Sequence, residues 1–353
     1  MTKSIVTPLI VLTWLSLVTV NANENPVEFK TDFRYRYDFV DDDSKDSSRR
    51  RNRIRSRFGL TGAINEQLKI NLRFATAEKN PISANQDLGH DFSLKDIGLD
   101  QLYFDYSISD NASLLGGKVK NPFYRANKSQ LIFDGDYNPE GLALQFNKGI
   151  VFGSIGTFSM DEHESVDAIS INGLQIGISS KTSAGAKFKI ALARYTFKDI
   201  HGRPASEITW NGKIFGNPID ANENYLNDYA VNNISAEIGT KVGSKKIPTV
   251  FFIDWVNNSD ANSDDKGYQI GLQLAFIDAW KMTYFYKDVE RNAVFGALTD
   301  SNFGGGGAGH KGHVVNLSYA FSKNFSTEFT WFNNDKKMTI DYTKIFLDLK
   351  YKY

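Results

Sequence analysis

The chain has 353 residues, and lysine plus arginine equals aspartate plus glutamate at 41 each, so no bulk charge favours binding to nucleic acid. Cysteine is absent, which excludes disulfide bonds, thiolate metal sites and cysteine nucleophiles. Aromatic residues are abundant (26 Phe, 16 Tyr, 5 Trp), glycine is common (28) and proline is rare (8). This composition is typical of many strands joined by turns and excludes a helical membrane protein.

The first 22 residues are predicted to be a secretory signal peptide. Lys3 is the only charged residue in the segment, an apolar run follows from Ile5 to Val20, and small residues for cleavage end at Ala22. A single membrane anchor is the alternative, but the run is short and no basic flank follows it. We therefore expect residues 1–22 to be removed on export and residues 23–353 to form one domain.

The segment directly after this signal has the clearest alternation in the sequence. Apolar and aromatic residues from Val27 to Phe39 occupy one parity, and charged residues occupy the other, namely Glu28, Lys30, Asp32, Arg34, Arg36 and Asp38. Six charges on one face cannot lie in a dry core, so this face must meet water while the other meets an apolar environment. The wall of a water-filled barrel in lipid meets both conditions, although a half-exposed soluble sheet would alternate in the same way.

The spacing of the turns decides between these architectures. Long and short connections alternate along the chain, which places all long loops at one end and all tight turns at the other. The pattern gives about sixteen strands, and an even number puts both chain ends on the side of the short turns. We therefore predict an all-β fold: a transmembrane antiparallel up-and-down β-barrel with short periplasmic turns and long extracellular loops.

Three stretches fit this pattern less simply. The parity of apolar residues is mixed around residues 187–197 and 249–257, where a bulge or a shifted boundary would change the strand count by about two. The glycine run within residues 303–313 is predicted to be a mobile loop.

The last fifteen residues predict the closing strand. Apolar side chains stand at alternate positions, namely Ile345, Leu347, Leu349, Tyr351 and Tyr353, and the chain stops on an aromatic residue. A strand with an unbroken apolar face needs apolar surroundings along its whole length, whereas the last strand of a soluble sandwich, the alternative, usually runs on into a polar end. The segment resembles the closing strand of bacterial outer-membrane barrels. The resemblance implies that Leu349, Tyr351 and Tyr353 act as the assembly signal for the barrel assembly machinery.

The densest charge cluster runs from Arg49 to Arg57. Four of its arginines share one parity and project together about 7 Å apart along the strand, namely Arg51, Arg53, Arg55 and Arg57. In a barrel they form a cationic ladder in the lumen, which lowers the barrier for anions or sets up a field against opposite carboxylates. A generic charged wall and a nucleic-acid patch are the alternatives. We predict a pore lining that comprises Arg51, Arg53, Arg55, Arg57, Arg73, Lys118 and Lys120.

No motif in the chain indicates catalysis or metal binding. A nucleophile elbow, a zincin helix and a phosphate-binding glycine loop are all missing from the sequence, and no Ser/His pair lies on a convincing strand. All five histidines fall in predicted long loops. A calcium loop after Asp134 is disfavoured, because Pro139 stands where glycine is needed and Gln145 where glutamate is needed. We expect no enzymatic activity, no metal site and no cofactor.

Six stretches resemble, in this order, the bacterial putative porin family of the general porin superfamily. They are Arg53–Leu60, Leu72–Thr76, Asn85–Gly89, Lys95–Tyr106, Gly116–Arg125 and Asp134–Ala143. The resemblance implies a sixteen-stranded, water-filled channel that assembles as a homotrimer. It also implies that the third long loop folds inward and narrows the channel, with constriction residues Arg125, Lys128, Asp134, Asp136 and Glu140.

These observations predict a porin in the outer membrane of a Gram-negative bacterium, through which small hydrophilic solutes or ions diffuse passively. Its expected partners are those solutes, the outer-membrane lipid and the assembly machinery, and nucleic acid is not among them. The luminal arginines favour one alternative, an anion-selective channel for phosphate-like or organic anions. An exported β-protein or adhesin that binds partners through its long loops is a further alternative.

Overall fold

The computed structural model describes residues 27–77, 79–89, 93–163, 166–183, 185–276 and 279–353, and the predicted signal peptide lies outside these ranges. The described strands are β1 (Glu28–Asp42), β2 (Arg49–Ala63), β3 (Leu68–Thr76), β4 (Gln86–Asp87), β5 (Ile97–Ser109), β6 (Ala112–Lys118), β7 (Glu140–Lys148), β8 (Val151–His163), β9 (Val166–Lys181), β10 (Lys187–Lys198), β11 (Tyr229–Val242), β12 (Ile247–Asn258), β13 (Lys266–Phe276), β14 (Trp280–Val289), β15 (His310–Ala320), β16 (Phe325–Lys336) and β17 (Ile340–Lys352). One helical turn, α1 (Ala205–Ile208), and three 3-10 turns (Ala126–Lys128, Gly296–Leu298 and Phe303–Gly305) complete the described elements.

Sixteen of the described strands form one closed antiparallel barrel. Each of these strands pairs with its neighbours in the chain, and β1 pairs with β17 to close the ring. The exception is β4, whose two residues lie between β3 and β5 and pair with Arg53 and Ile54 of β2. The predicted fold class is therefore confirmed.

Exposure alternates along the strands as the sequence predicts. On β1, Arg34, Arg36 and Asp38 are 8%, 5% and 0% exposed, whereas Phe33 and Tyr35 are 44% and 37% exposed. Because successive side chains of a strand point to opposite faces, the charged row points into the barrel and the aromatic row points away from it. The outside of the wall is therefore apolar, as contact with lipid requires.

The seam between the first and last strands is closed by both side chains and backbone. Arg36 donates two hydrogen bonds to Asp348, at 2.6 and 2.7 Å, and both side chains are almost completely buried. Nearer the chain end, the backbone N–H of Tyr353 donates to the carbonyl of Thr31 at 2.9 Å, and the N–H of Thr31 donates back at 3.1 Å. The final aromatic residue is thus part of the closing ladder.

The two ends of the barrel differ in their connections. At the turn end, two to five residues join successive strands. The loop end carries four connections of 20 or more residues: loop 2 (residues 77–96), loop 3 (119–139), loop 5 (199–228) and loop 7 (290–309). Two connections at this end are short, because only two residues separate β8 from β9 and three separate β16 from β17.

Loops 3, 5 and 7 fold into the barrel and share an apolar core. Loop 3 contributes Leu131 and Phe133, loop 5 contributes Ile200 and Tyr225, and loop 7 contributes Phe295, all at most 2% exposed. The inner face of the wall packs on them with Phe158, Ile169, Ile171, Tyr195, Phe197, Tyr229, Val231, Val256 and Val289. This part of the lumen is therefore filled with side chains.

This interior core explains the mixed parity at residues 187–197 and 249–257. On β10 the inner Tyr195 and Phe197 are each 1% exposed, whereas the outer Leu192 is 55% exposed. Both faces of these strands are apolar, one toward the loops and one away from the barrel, so the alternation disappears from the sequence although the strands are regular.

The glycine-rich part of loop 7 is buried and packed, which corrects the prediction of a mobile loop. Phe303 and Ala308 are each 1% exposed. A Cβ atom on Gly307 would lie 2.3 Å from the carbonyl oxygen of Phe215, and one on Gly296 would lie 2.2 Å from the same oxygen. The glycines therefore allow loop 7 to approach the backbone of loop 5, an approach that a side chain would block.

Candidate functional site

A polar cavity of about 520 Å³ lies between loop 3 and the part of the wall on which the interior apolar core does not pack. The strands that border it are β1, β2 and β13–β17. It reaches from Asn302 in loop 7 to Lys281 and Ser318, which lie close to the turn end. We refer to this space as the luminal cavity.

The lining of the luminal cavity carries an excess of positive charge. Eight basic side chains line it, namely Arg34, Arg36, Arg55, Arg57, Arg125, Lys128, Lys281 and Lys350. Four carboxylates line it, namely Asp134, Asp136, Asp300 and Glu328. An anion inside the cavity is therefore attracted to its walls more than a cation is.

The upper half of the predicted arginine ladder is paired with aspartates. Arg51 contacts Asp38 at 2.6 Å and Asp87 at 3.0 Å. Arg53 contacts the same two carboxylates at 3.4 and 2.6 Å. Asp38 lies on the neighbouring strand β1, and Asp87 belongs to β4, so these pairs also hold loop 2 against the inner wall. Neither arginine lines the luminal cavity.

The lower half of the ladder faces the luminal cavity and binds loop 3. Arg55 contacts Asp32 at 3.0 Å and Asp136 at 3.5 Å, and Arg57 contacts them at 2.7 and 3.1 Å. Burial opposes the ionisation of Asp136, but the attraction of Arg55, Arg57 and Arg34 outweighs it and holds the pKa of Asp136 below its usual value. Asp136 therefore acts as an anionic clamp between the loop and β2.

Asp134 joins loop 3 to loop 7 instead of facing an arginine. Its carboxylate accepts the backbone N–H groups of Asp136 and Ser301, each at 2.9 Å, and its own N–H donates to Leu298 at 2.7 Å. Burial, with the nearby charges of Asp136 and Asp300, raises the pKa of Asp134 to about 7. The docking of loop 3 therefore depends on a carboxyl group that titrates near neutral pH.

Two basic residues of loop 3 have different environments. Arg125 donates to the carbonyls of Ser129 and Phe133, at 3.2 and 2.6 Å, and so fixes the fold of the loop from within. Lys128 follows in the 3-10 turn and also lines the luminal cavity. The loop thus presents both signs of charge to the same space.

The remaining predicted lining residues lie elsewhere. Arg73 points inward and pairs with Asp100, and with Lys120 it lines a separate cavity of about 510 Å³ beside the two ends of the described chain. The pair of Lys118 and Glu140 stands at the rim of the wall.

Lys118 and Glu140 do not line the luminal cavity but border another cavity, of about 740 Å³, together with Tyr137 of loop 3, Trp210 of loop 5 and Phe295 of loop 7. Lys118 pairs with Leu102 and Glu140, and the next residue pair along this ladder on the same face includes Leu142. Leu102 and Leu142 are 45% and 49% exposed on the outer surface. Lys118 ends β6 and Glu140 begins β7, so the two residues stand at the edge of the wall beside the loops and not in the luminal cavity.

Several residues of the cavity were not singled out from the sequence. Arg34 and Arg36 stand in the charged row of β1, and Lys350 and Glu328 form an ion pair between β17 and β16. The alternating pattern of β1 and β17 carries the signal for them. Asp300, which faces Lys287 at 3.7 Å, lies in loop 7, where periodicity gives no such signal.

Three histidines are placed differently from the prediction, because they lie on strands instead of in loops. His163 ends β8, and His310 and His313 belong to β15. The two histidines of β15 occupy opposite faces: His310 is 4% exposed, whereas His313 is exposed, with its Nδ1 atom 2.9 Å from the hydroxyl of Tyr284. In the described part of the chain, no group of three or more histidine and carboxylate side chains could hold a metal ion. No helix among those same residues is long and apolar enough to cross a membrane.

A family comparison covers nearly the whole chain. The sequence profile of the family described as putative porin matches residues 16–230 and 225–353. The chain belongs to this porin family. Membership and the closed barrel together make it an outer-membrane channel protein.

Solved structures support the same fold. This porin is similar to a triple mutant of the porin of Rhodopseudomonas blastica, at 11% identity and a TM-score of 0.57, over 93% of this chain and 100% of that chain. It is also similar to a double mutant of the same protein, with a TM-score of 0.58, 11% identity and the same coverage. At these identities the likeness establishes the fold alone. A comparison with curated protein sequences finds no match.

Proposed function

We propose that the barrel is a water-filled channel through which small hydrophilic solutes diffuse passively down their gradients. The observation that carries this proposal is the polar luminal cavity, enclosed by a wall whose outer face is apolar. A sixteen-stranded barrel is wide enough to enclose water, whereas an eight-stranded one is filled by side chains. Here loops 3, 5 and 7 reduce the open width, so small solutes are the expected cargo.

The narrowest part of the channel is proposed to lie where loop 3 approaches β2. Asp136 contributes the loop side and Arg55 and Arg57 the wall side, with Lys128 and Asp134 close by. Charges of both signs at one level create a field across the passage, which orients dipolar solutes as they pass. Lys118 and Glu140 are not part of this proposal, because they border a different cavity.

The same proposal includes the route and the assembly of the protein. Residues 1–22 would direct export in a Gram-negative bacterium, and residues 23–353 would insert into the outer membrane as a homotrimer. The turn end, which holds both termini of the barrel, would face the periplasm, and the loop end would face outward. Leu349 and Tyr351, exposed on the outer face of β17, and Tyr353, exposed directly after it, would be the signal for the assembly machinery.

Planar-bilayer recording of the purified protein tests the channel. We expect stepwise conductance increases in KCl, and we expect liposomes that contain the protein to swell in sugars at rates that fall as the sugar becomes larger. Heat-unfolded protein in the same detergent is the control. The absence of both steps and swelling for protein with heat-modifiable gel migration would refute the proposal.

Anion selectivity is a second candidate, favoured by the excess of basic over acidic side chains in the luminal cavity. The reversal potential in a KCl gradient measures it, and a value close to zero would exclude it. An adhesin that acts through long loops has less support, because loops 3, 5 and 7 place much of their apolar surface inside the barrel.

A further inference from the structure

Arg34, halfway along β1, is a buried cation that makes no direct ion pair with a carboxylate of the described residues, and Asp136 and Asp348 attract it only from a longer distance. Its residue surface is 8% exposed, and it lines the luminal cavity. One nitrogen of its guanidinium donates to the side-chain oxygen of Asn85, while its Nε atom is buried and donates to no described group. A buried guanidinium that lacks a counter-charge is costly to the fold, so its retention calls for a reason.

The neighbours of Arg34 increase this cost. In the register of the wall, Arg34 stands opposite Lys350 on one side and Arg55 on the other. Directly opposite positions bring Cβ atoms to about 5 Å, and like charges there are destabilising. The nearby carboxylates contact other cations directly. Asp32 and Asp136 contact Arg55, and Glu328 contacts Lys350. Three cations therefore meet at one level of the cavity, and Arg34 is the one that lacks a direct carboxylate contact.

We propose that Arg34, Arg55 and Lys350 form a binding site for a small oxyanion, the carboxylate or phosphate group of a permeating solute. All three side chains line the luminal cavity, and the Nε atoms of both arginines are buried without a described acceptor. The planar fork of a guanidinium matches the two oxygens of such a group, and hydrogen bonds to it are charge-assisted. The proposal rests on the proposed channel function, and it names a class of solute that the channel would hold briefly.

Phosphate block of chloride current provides the test. Single-channel current is recorded in KCl while inorganic phosphate is added, and we expect saturable block of the wild-type channel. Arg34→Gln should raise the half-blocking concentration by about tenfold or more, since it removes a charged hydrogen-bond donor, and Arg34→Lys should have a smaller effect. Arg73→Gln is the matched control, because Arg73 also points inward but pairs with Asp100 and lies outside the luminal cavity. It should leave the block unchanged.

Equilibrium dialysis of labelled phosphate against the detergent-solubilised barrel separates failure of the site from failure of the channel. The wild-type protein could bind phosphate but show no conductance. If Arg34→Gln then loses the binding, the result supports the oxyanion site and refutes the channel. A conducting wild type that phosphate does not block would overturn the site, as would equal block in wild type and Arg34→Gln. Heat-modifiable migration verifies folding, and Arg34→Lys supplies the comparison if Arg34→Gln does not fold.

Discussion

Replacing the carboxylate of Asp136 is the sharpest test of how charge in the luminal cavity governs permeation. Asp136→Asn removes one negative charge from the lining while keeping the shape of the side chain. A sphere with the cavity volume of about 520 Å³ has a radius of about 5 Å, which sets the distance from the wall to a central ion. Two unit charges at that distance interact by about 0.8 kcal/mol in water, and screening in 0.1 M salt reduces this to about 0.5 kcal/mol.

This energy changes the population of each ion in the cavity about twofold, in opposite directions for anions and cations. The anion-to-cation permeability ratio of Asp136→Asn should therefore rise about fivefold, which is measured as a shift in reversal potential in a KCl gradient. Arg57→Gln, which removes a cation from the same contact, should shift the potential in the opposite direction.

Asp43→Asn provides the matched control for net charge. Asp43 is exposed in the short loop between β1 and β2, away from the luminal cavity, so its removal should leave selectivity unchanged. The reasoning would be refuted if Asp136→Asn and Arg57→Gln moved the reversal potential in the same direction. That result would mean that loosening of loop 3, and not the field of its carboxylate, controls which ions pass.

Three further predictions concern the parts that hold the pore in shape. Because the pKa of Asp134 is raised, the native state keeps a proton that the unfolded chain releases near pH 4. The docking of loop 3 should therefore weaken as the pH rises from about 4 to 7 and change little above pH 7. Hydrogen exchange of loop 3 should show this pH dependence in the wild type and not in Asp134→Asn. Asp348→Asn leaves Arg36 buried without its counter-ion and should destabilise the barrel by about 3–5 kcal/mol. The temperature at which the gel migration changes to that of the unfolded chain should therefore fall. Replacing both residues by apolar ones should recover stability. Gly296→Ala places a Cβ atom against Phe215 and should loosen loops 5 and 7 at a cost of about 1–3 kcal/mol, with faster proteolysis of both loops; unchanged proteolysis would contradict the packing.

The wall of this barrel could be predicted because its physics is local. On β1 and β17 one face meets lipid and the other meets water, so the alternation of Tyr35 with Arg36, or of Leu349 with Asp348, appears directly in the sequence. The same alternation placed Arg55 and Arg57 on the inner face. It also contains Arg34 and Lys350, but nothing local shows that the two stand opposite each other across the seam or that Arg34 makes no direct ion pair.

The filling of the lumen could not be predicted in the same way. Phe133, Tyr225 and Phe295 come from three different loops, and their contacts depend on how distant parts of the chain meet. The glycines of loop 7 predict a mobile loop when only the sequence is considered, because the sequence does not show how closely they approach Phe215 in the fold. Lys118 stands at a strand end, the least certain part of a periodic pattern, and it borders a different cavity from the one that Arg55 and Arg57 line.

The interior core divides the barrel into two halves that differ in how well they tolerate inward-facing substitutions. From β8 to β12, an inward substitution removes packing against the loops, so its main effect falls on stability. Along β1, β2 and β13–β17, inward residues line the luminal cavity, so their substitution can alter which molecules pass. Buried ion pairs such as Arg36 with Asp348 are the exception, because they also hold the wall together. Solutes would travel off-centre along one side of the cylinder, and new specificities could arise there while the opposite side remains a fixed scaffold.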